Sequence, residues 1–259
     1  MTSAEASEMA LFLRLDRMFA EAQNNMLTKL RALRDEILRL DGDVNDPATE
    51  KAIRKLLKKH NAERMIAADV AAVGAAASAV IRASLTGESL SSAQEAAKEL
   101  QEQAKTDLGL LALGTAAVSL VAKETRQERQ SHKKLASRAM ALTRSKSAIS
   151  AAFQRAKEPA DFLPLAIALS INKTRTHARA LTRTQRTHMR GYATEQIGKA
   201  ASALGLKIGK QWHCRMRVNS RDPHKDRNGM WALIDEPFAG SVMHYPGDPA
   251  GGAGEVCNC

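Results

Sequence analysis

Apolar residues recur at spacings of three and four through the first forty positions: Phe12, Leu15, Phe19, Ala22, Met26, Leu30, Leu33, Ile37 and Leu40. Charged residues fill the intervals, so the pattern predicts one long amphipathic helix. Asp41-Gly42 ends it. Asp46 and Pro47 then supply an N-cap and a first helical position for a second helix. This helix opens basic, as KAIRKLLKKH, and turns alanine-rich toward Ile81. The stretch TGESLSS predicts a break, and Ser92 with Glu95 predicts a capping box that opens a third helix. That helix is expected to run through the apolar stretch 108–122 into VAKETRQERQSHKKLASRAMALTRSKS. Pro159 and Pro164 predict another interruption. A final helix is expected over about residues 174–204, closed by Gly205. The nearly uncharged runs at 70–80 and 108–122 fall short of the roughly 20 residues that span a bilayer. They are expected inside protein, and no membrane partner is expected.

The pattern changes after residue 205. Both tryptophans, four of the seven prolines and all three cysteines lie beyond it. Short strand-like pieces, KQWHCRMR and MWALI, alternate with turn-rich segments, SRDPHKDRNG and YPGDPAGGAG. The expected fold is therefore mostly α: long N-terminal helices in a helical domain over 1–205, then a small α+β module over 206–259.

Composition agrees with helices. Apolar residues make up 44% of the 259 positions but aromatics only 3%, which suits helix packing through alanine and leucine better than a β-sandwich. The formal charge of +11 favours an anionic partner. It resides in one segment: residues 123–190 hold sixteen Lys/Arg against four Asp/Glu. Within it, Lys173, Arg175, Arg179, Arg183, Arg186 and Arg190 occur without an acid among them. The five arginines recur at helical spacing and form one ridge, a candidate for non-specific contact with the phosphates of double-stranded DNA. A solvated helix face, or one turned to a protein partner, has the same pattern. The first helix is similarly two-sided in meaning. It suits an arm that docks on a partner or on its own copies, and it suits an ordinary bundle core. Three cysteines do not make a disulfide scaffold. The charged N-terminal start is not the pattern of a secretory leader, so a cytosolic setting is expected.

The candidate chemistry is concentrated in the last third. Cys257 and Cys259 sit two apart, which in extended backbone places both thiols on one face. With His224 and Cys214 (or His213) they form a candidate structural zinc site. A second reading of the same region is a metal-dependent nuclease or other phosphate-handling enzyme, built on Asp222, His224 and Asn228. It lacks a paired histidine and a carboxylate pair for a second metal. A third is a bacterial helical DNA-binding protein. No residue is singled out as catalytic: PGDPAGGAG is no phosphate loop, and Cys214 has no evident base beside it.

An ordered set of short motifs carries a resemblance. These are Arg183-Thr184-Gln185, Lys210 with Trp212, Arg221 with His224 and Asn228-Gly229, residues 234–238 (IDEPF), residues 245–249 (YPGDP), and Cys257 with Cys259. In this order they resemble the phage Mu F-like minor head proteins, also described as phage head morphogenesis proteins, over residues 183–259. Gln185 stands where that family usually has glutamate. The resemblance implies a non-enzymatic minor capsid protein of a tailed phage or prophage. Such a protein associates with the portal and other capsid proteins, acts in head assembly, and in some cases stays in the head with DNA. The expected location is the host cytoplasm during assembly and the virion head afterwards.

Overall fold

Asp46 opens a helix as its chemistry predicts: its carboxylate accepts the backbone N–H groups of Ala48 and Thr49, and Pro47 occupies the first turn. The computed structural model describes residues 3–104, 126–214, 216 and 220–252. Its helices are α1 (Ser3–Lys29), α2 (Arg31–Ile37), α3 (Pro47–Lys59), α4 (Ala62–Ala104), α5 (Arg126–Ala136), α6 (Arg138–Arg155) and α7 (Pro159–Ala203). After them come β1 (Gly209–Gln211), the short α8 (Asp222–Asp226), β2 (Trp231–Leu233) and a closing 3₁₀ turn, Pro249–Gly251. The chain is mostly helical, with a small β module near its C-terminal end.

Several boundaries differ from expectation for local reasons. The first helix divides at Leu30, two residues after Thr28, whose hydroxyl donates back to the Asn24 carbonyl, a bond that bends helices. The second divides at Asn61, which adopts φ 51°, a left-handed conformation that asparagine tolerates. By contrast, the break expected at TGESLSS is absent, and α4 continues through it. Leu85, Ala93 and Ala97 are buried at spacings of eight and four, so one apolar face persists across the polar stretch. An interior glycine costs about 1 kcal/mol in a helix, and the packing beyond Gly87 outweighs it. Ser92 and Glu95 therefore do not open a helix. Pro159 is the first residue of α7, and Pro164 lies inside it. Pro164 removes one backbone bond, while Phe162, Leu163, Ala166 and Ile167 around it are buried and hold the turn in place. The apolar stretch 108–122 lies outside the described residues.

The chain divides into two compact units, each made of two separated segments. Unit 1 comprises Met1–Ile81 and Gln130–Arg179; unit 2 comprises Arg82–Arg129 and Ala180–Cys259. The change of composition at residue 205 falls inside unit 2.

Unit 1 is a helical bundle. The stripe of the first helix is spent on its core: Phe12, Leu15, Phe19, Met26, Leu30, Leu33 and Ile37 are all buried, along with Ile53, Ile66, Leu135 and Phe162. The segment Ala62–Leu85 is long and apolar enough to cross a membrane by hydropathy alone, but half of its most apolar window is buried in protein. Ile66, Val70, Val73, Ala77 and Ile81 form its inward face. The Phe153 and Phe162 rings meet at 4.4 Å, with the Arg54 guanidinium 4.5 Å above Phe153. The Val44 N–H donates to the Lys157 carbonyl, tying the loop before α3 to the α6–α7 turn.

Unit 2 packs Ala93 and Ala97 of α4 against Ala193 and Ile197 of α7, with Met189 and Tyr192 alongside. β1 and β2 pair antiparallel, with Gly209 opposite Leu233, Lys210 opposite Ala232 and Gln211 opposite Trp231. Under this hairpin, Trp212, Phe238 and Met243 form a second small core.

Candidate functional site

Five of the six motif pieces lie among the described residues, and all five fall in unit 2. Trp212 is their centre. It is 1% exposed, and its ring meets Phe238 at 5.1 Å and His224 at 5.8 Å, both edge-on. Its backbone closes the loop beneath: the Trp212 N–H donates to Met230 O, and the Gly229 N–H donates to Trp212 O. Asn228 accepts the Cys214 N–H at 2.8 Å through its side chain. Lys210 donates to the Ile234 carbonyl at 2.9 Å, and its ammonium lies 5.5 Å from the Phe238 ring centre. Burial lowers the Lys210 pKa, while Glu195 opposes that shift. The recurring polar residues here are therefore used to hold one loop-rich module closed.

The turn at 244–248 is fixed to α7 by a buried polar group that the sequence did not reveal. The Tyr245 hydroxyl shares a 3.3 Å hydrogen bond with His188 Nδ1, and His188 Nε2 lies 3.7 Å from Glu128. Burial first, then Asp248 and Glu195, push the Tyr245 pKa up, so it remains a phenol. Glu195 Oε1 stands 3.0 Å from Lys199 Nζ and 3.1 Å from His244 Nδ1. Asp248 accepts the N–H groups of His244 and Ala250. Two glycines allow the close approach. A Cβ on Gly191 would stand 2.5 Å from the Tyr245 ring, and one on Gly247, already at φ 84°, would stand 2.8 Å from the His188 nitrogen. Residues 128, 188, 195 and 244 have no common local spacing, so no motif search joins them.

The candidate zinc site is a correction. Among the described residues, no group of three His, Cys, Asp or Glu side chains could hold a metal ion. His224 is spent against Trp212 as a buried core residue, and His213 is exposed. Cys214 is a half-buried free thiol. Cys257 and Cys259 lie outside the described residues. Among the described residues, the 244–248 turn is held by aromatic packing and hydrogen bonding to α7.

The six basic candidates all lie on α7, in different surroundings. Lys173 is exposed and donates to Ser147 at 2.7 Å. Arg175 and Arg190 are half-buried, and Arg183 is exposed. Arg179 pairs with Asp16 at 2.5 Å and stacks 5.4 Å from the Phe12 ring centre. Arg186 is only 5% exposed. Two of the six thus serve the folded chain directly; of the other four, Lys173 and Arg183 are exposed, Arg175 is half-buried, and Arg190 is half-buried with its Nε enclosed.

Comparisons with protein-family models, with curated proteins and with solved structures return no match for this chain.

Proposed function

We propose that this chain is a minor head protein of a tailed phage or prophage, similar to the Mu F-like proteins. In this reading it works at the portal during head assembly and is not an enzyme. It acts first in the host cytoplasm and then resides in the virion head. The observation that carries the reading is the use of the ordered motifs. Lys210, Trp212, His224, Asn228, Ile234 and Phe238 pack and bond within one module, and Tyr245 ties the following turn to α7, as expected of residues that specify a fold. A motif set of that kind supports kinship through a structural part rather than through a reaction centre.

The docking surface for the portal belongs to α1 in this proposal. Its main stripe is buried in unit 1, but Met9 and Leu13, one turn apart, are 54% and 52% exposed. Phosphate contact with packaged DNA belongs to Lys173, Arg175 and Arg183. Mass spectrometry of purified heads should find the chain at a few copies beside the portal. The double change Met9→Glu and Leu13→Glu should abolish co-purification with the co-expressed portal while circular dichroism stays unchanged. A chain absent from heads, or metal-dependent nicking of DNA by the purified protein, would overturn the proposal.

A further inference from the structure

Arg144 on α6 is a cation placed where a cation is costly. It is 9% exposed, and its Nη1 is buried without a hydrogen-bond acceptor. No carboxylate pairs with it among the described residues. The groups around it are not acids either. The α6–α7 hairpin is held in register by the Lys173–Ser147 bond at 2.7 Å. Four residues on from Lys173 is His177, and three back from Ser147 is Arg144, so the antiparallel pair brings them face to face. On α5, His132 is fixed by a 2.6 Å bond to Ser78 of α4, and the Ser131 backbone bonds to His177. Gly74 lets α4 close on this point, since a Cβ there would collide with the Leu135 carbonyl and touch Thr174. Four helices of unit 1 therefore meet around Arg144, His132 and His177, with Lys134 adding its charge at the rim.

A buried guanidinium without a counterion is strongly disfavoured; such groups are found paired or bound to an anion. Its planar fork of donors matches two oxygens of a tetrahedral oxyanion. We infer that the junction of α4, α5, α6 and α7 binds one small oxyanion of the phosphate class, held by Arg144 and favoured by the charge of Lys134. The depth of the guanidinium selects a free anion. A duplex carries its phosphates on a broad backbone that cannot follow Arg144 into the bundle. The site is independent of the head-protein reading.

The test is thermal melting of the full chain in inorganic phosphate against chloride at matched ionic strength and pH. Phosphate should raise the midpoint saturably, as a ligand specific to the folded state does. Arg144→Met, which fills the space without charge, should lose the phosphate-dependent rise. Arg144→Lys keeps the charge but not the fork, and should weaken phosphate about tenfold or more. Nuclear magnetic resonance of the wild type gives a readout that needs no variant: the His177 pKa should rise when phosphate is added. Equal midpoints in phosphate and chloride would overturn the site. So would an unchanged phosphate effect in Arg144→Met, or an unmoved His177. If a short DNA duplex reproduces the effect through Arg144 and inorganic phosphate does not, the anion is a nucleic-acid backbone and the inference is wrong.

Discussion

His177 takes up a proton less readily than a free imidazole. Burial is the first cause, and the positive charges of Arg144, Lys134 and His132 add to it, against a raising bond to the Ser131 backbone. The unfolded chain then binds this proton more readily than the folded one, from the ordinary value of 6.5 downward. Stability from this residue is present above that pH and is lost as the pH falls through it. Denaturant midpoints should fall with acidification below about pH 6.5, and His177→Gln should flatten that part of the profile. An unchanged slope in the variant would remove His177 from the account. Two further residues separate fold from surface. Under the proposed phosphate contact, Arg183→Ala should lower the salt dependence of DNA binding by about one phosphate contact. Arg186→Ala should instead cost stability, because Arg186 is buried; a melting point equal to that of the parent would contradict this. Gly191→Ala forces a methyl into the Tyr245 ring and should destabilise by about 1–3 kcal/mol, read by chemical denaturation. Trp212, Ile234, Phe238 and Tyr245 were visible in the sequence as members of an ordered motif set. Glu128, His188, Glu195 and His244 were not, because their meeting depends on packing between segments far apart in the chain.

At the scale of elements, the Asp46-Pro47 helix start was readable, while the capping box at Ser92 and Glu95 and helix continuity were not. Asp46 and Pro47 open α3 through bonds made within three residues, so a local rule suffices. The piece MWALI supplies β2, Trp-Ala-Leu, while KQWHCRMR gives only Lys210 and Gln211 to β1; both strands are short, lie close to turns and pair antiparallel. TGESLSS reads as a breaker by the same local rules, yet α4 passes through it, since Ala93 and Ala97 are fixed from α7 by Ala193 and Ile197. Pro164 is the same lesson in α7. The metal reading failed for a related reason: Cys-x-Cys spacing supplies two ligands, while the remaining ones depend on where His224 and Cys214 point. His224 points into the Trp212 core. This has a measurable consequence. Trp212→Ala should destabilise by about 3–5 kcal/mol and open the segment after residue 205 to limited proteolysis. A chelator added to the parent protein should do neither. Chelator-induced cleavage would restore a metal to the module.

At the scale of the whole molecule, the chain is not read in the order in which it folds together. Unit 1 needs residues on both sides of 82–129, and unit 2 needs 82–129 as well as everything after 179. Composition marks a sharp change at 205, but the packing does not stop there. Tyr245 closes on Gly191 and His188, Ile234 on Gly198, and Ser202 donates to Asp235. Among the described residues, the small module's own buried cluster consists of Trp212, Phe238 and Met243. A core of three large side chains offsets little of the conformational entropy of some fifty residues, at roughly 1–2 kcal/mol each. Below about 70 residues a single core rarely supplies surplus stability, and such domains commonly add a disulfide, a metal or a partner surface. Among the described residues the module uses the partner surface, and α7 supplies it. A fragment of residues 206–259 should therefore be unfolded in isolation, with amide resonances collapsed into the random-coil range. A fragment of residues 180–259 regains the α7 face but still lacks Ala93 and Ala97, so it should be only partly ordered. A fully dispersed spectrum from 206–259 alone would show that the module carries its own stability, and would return the boundary of the fold to residue 205.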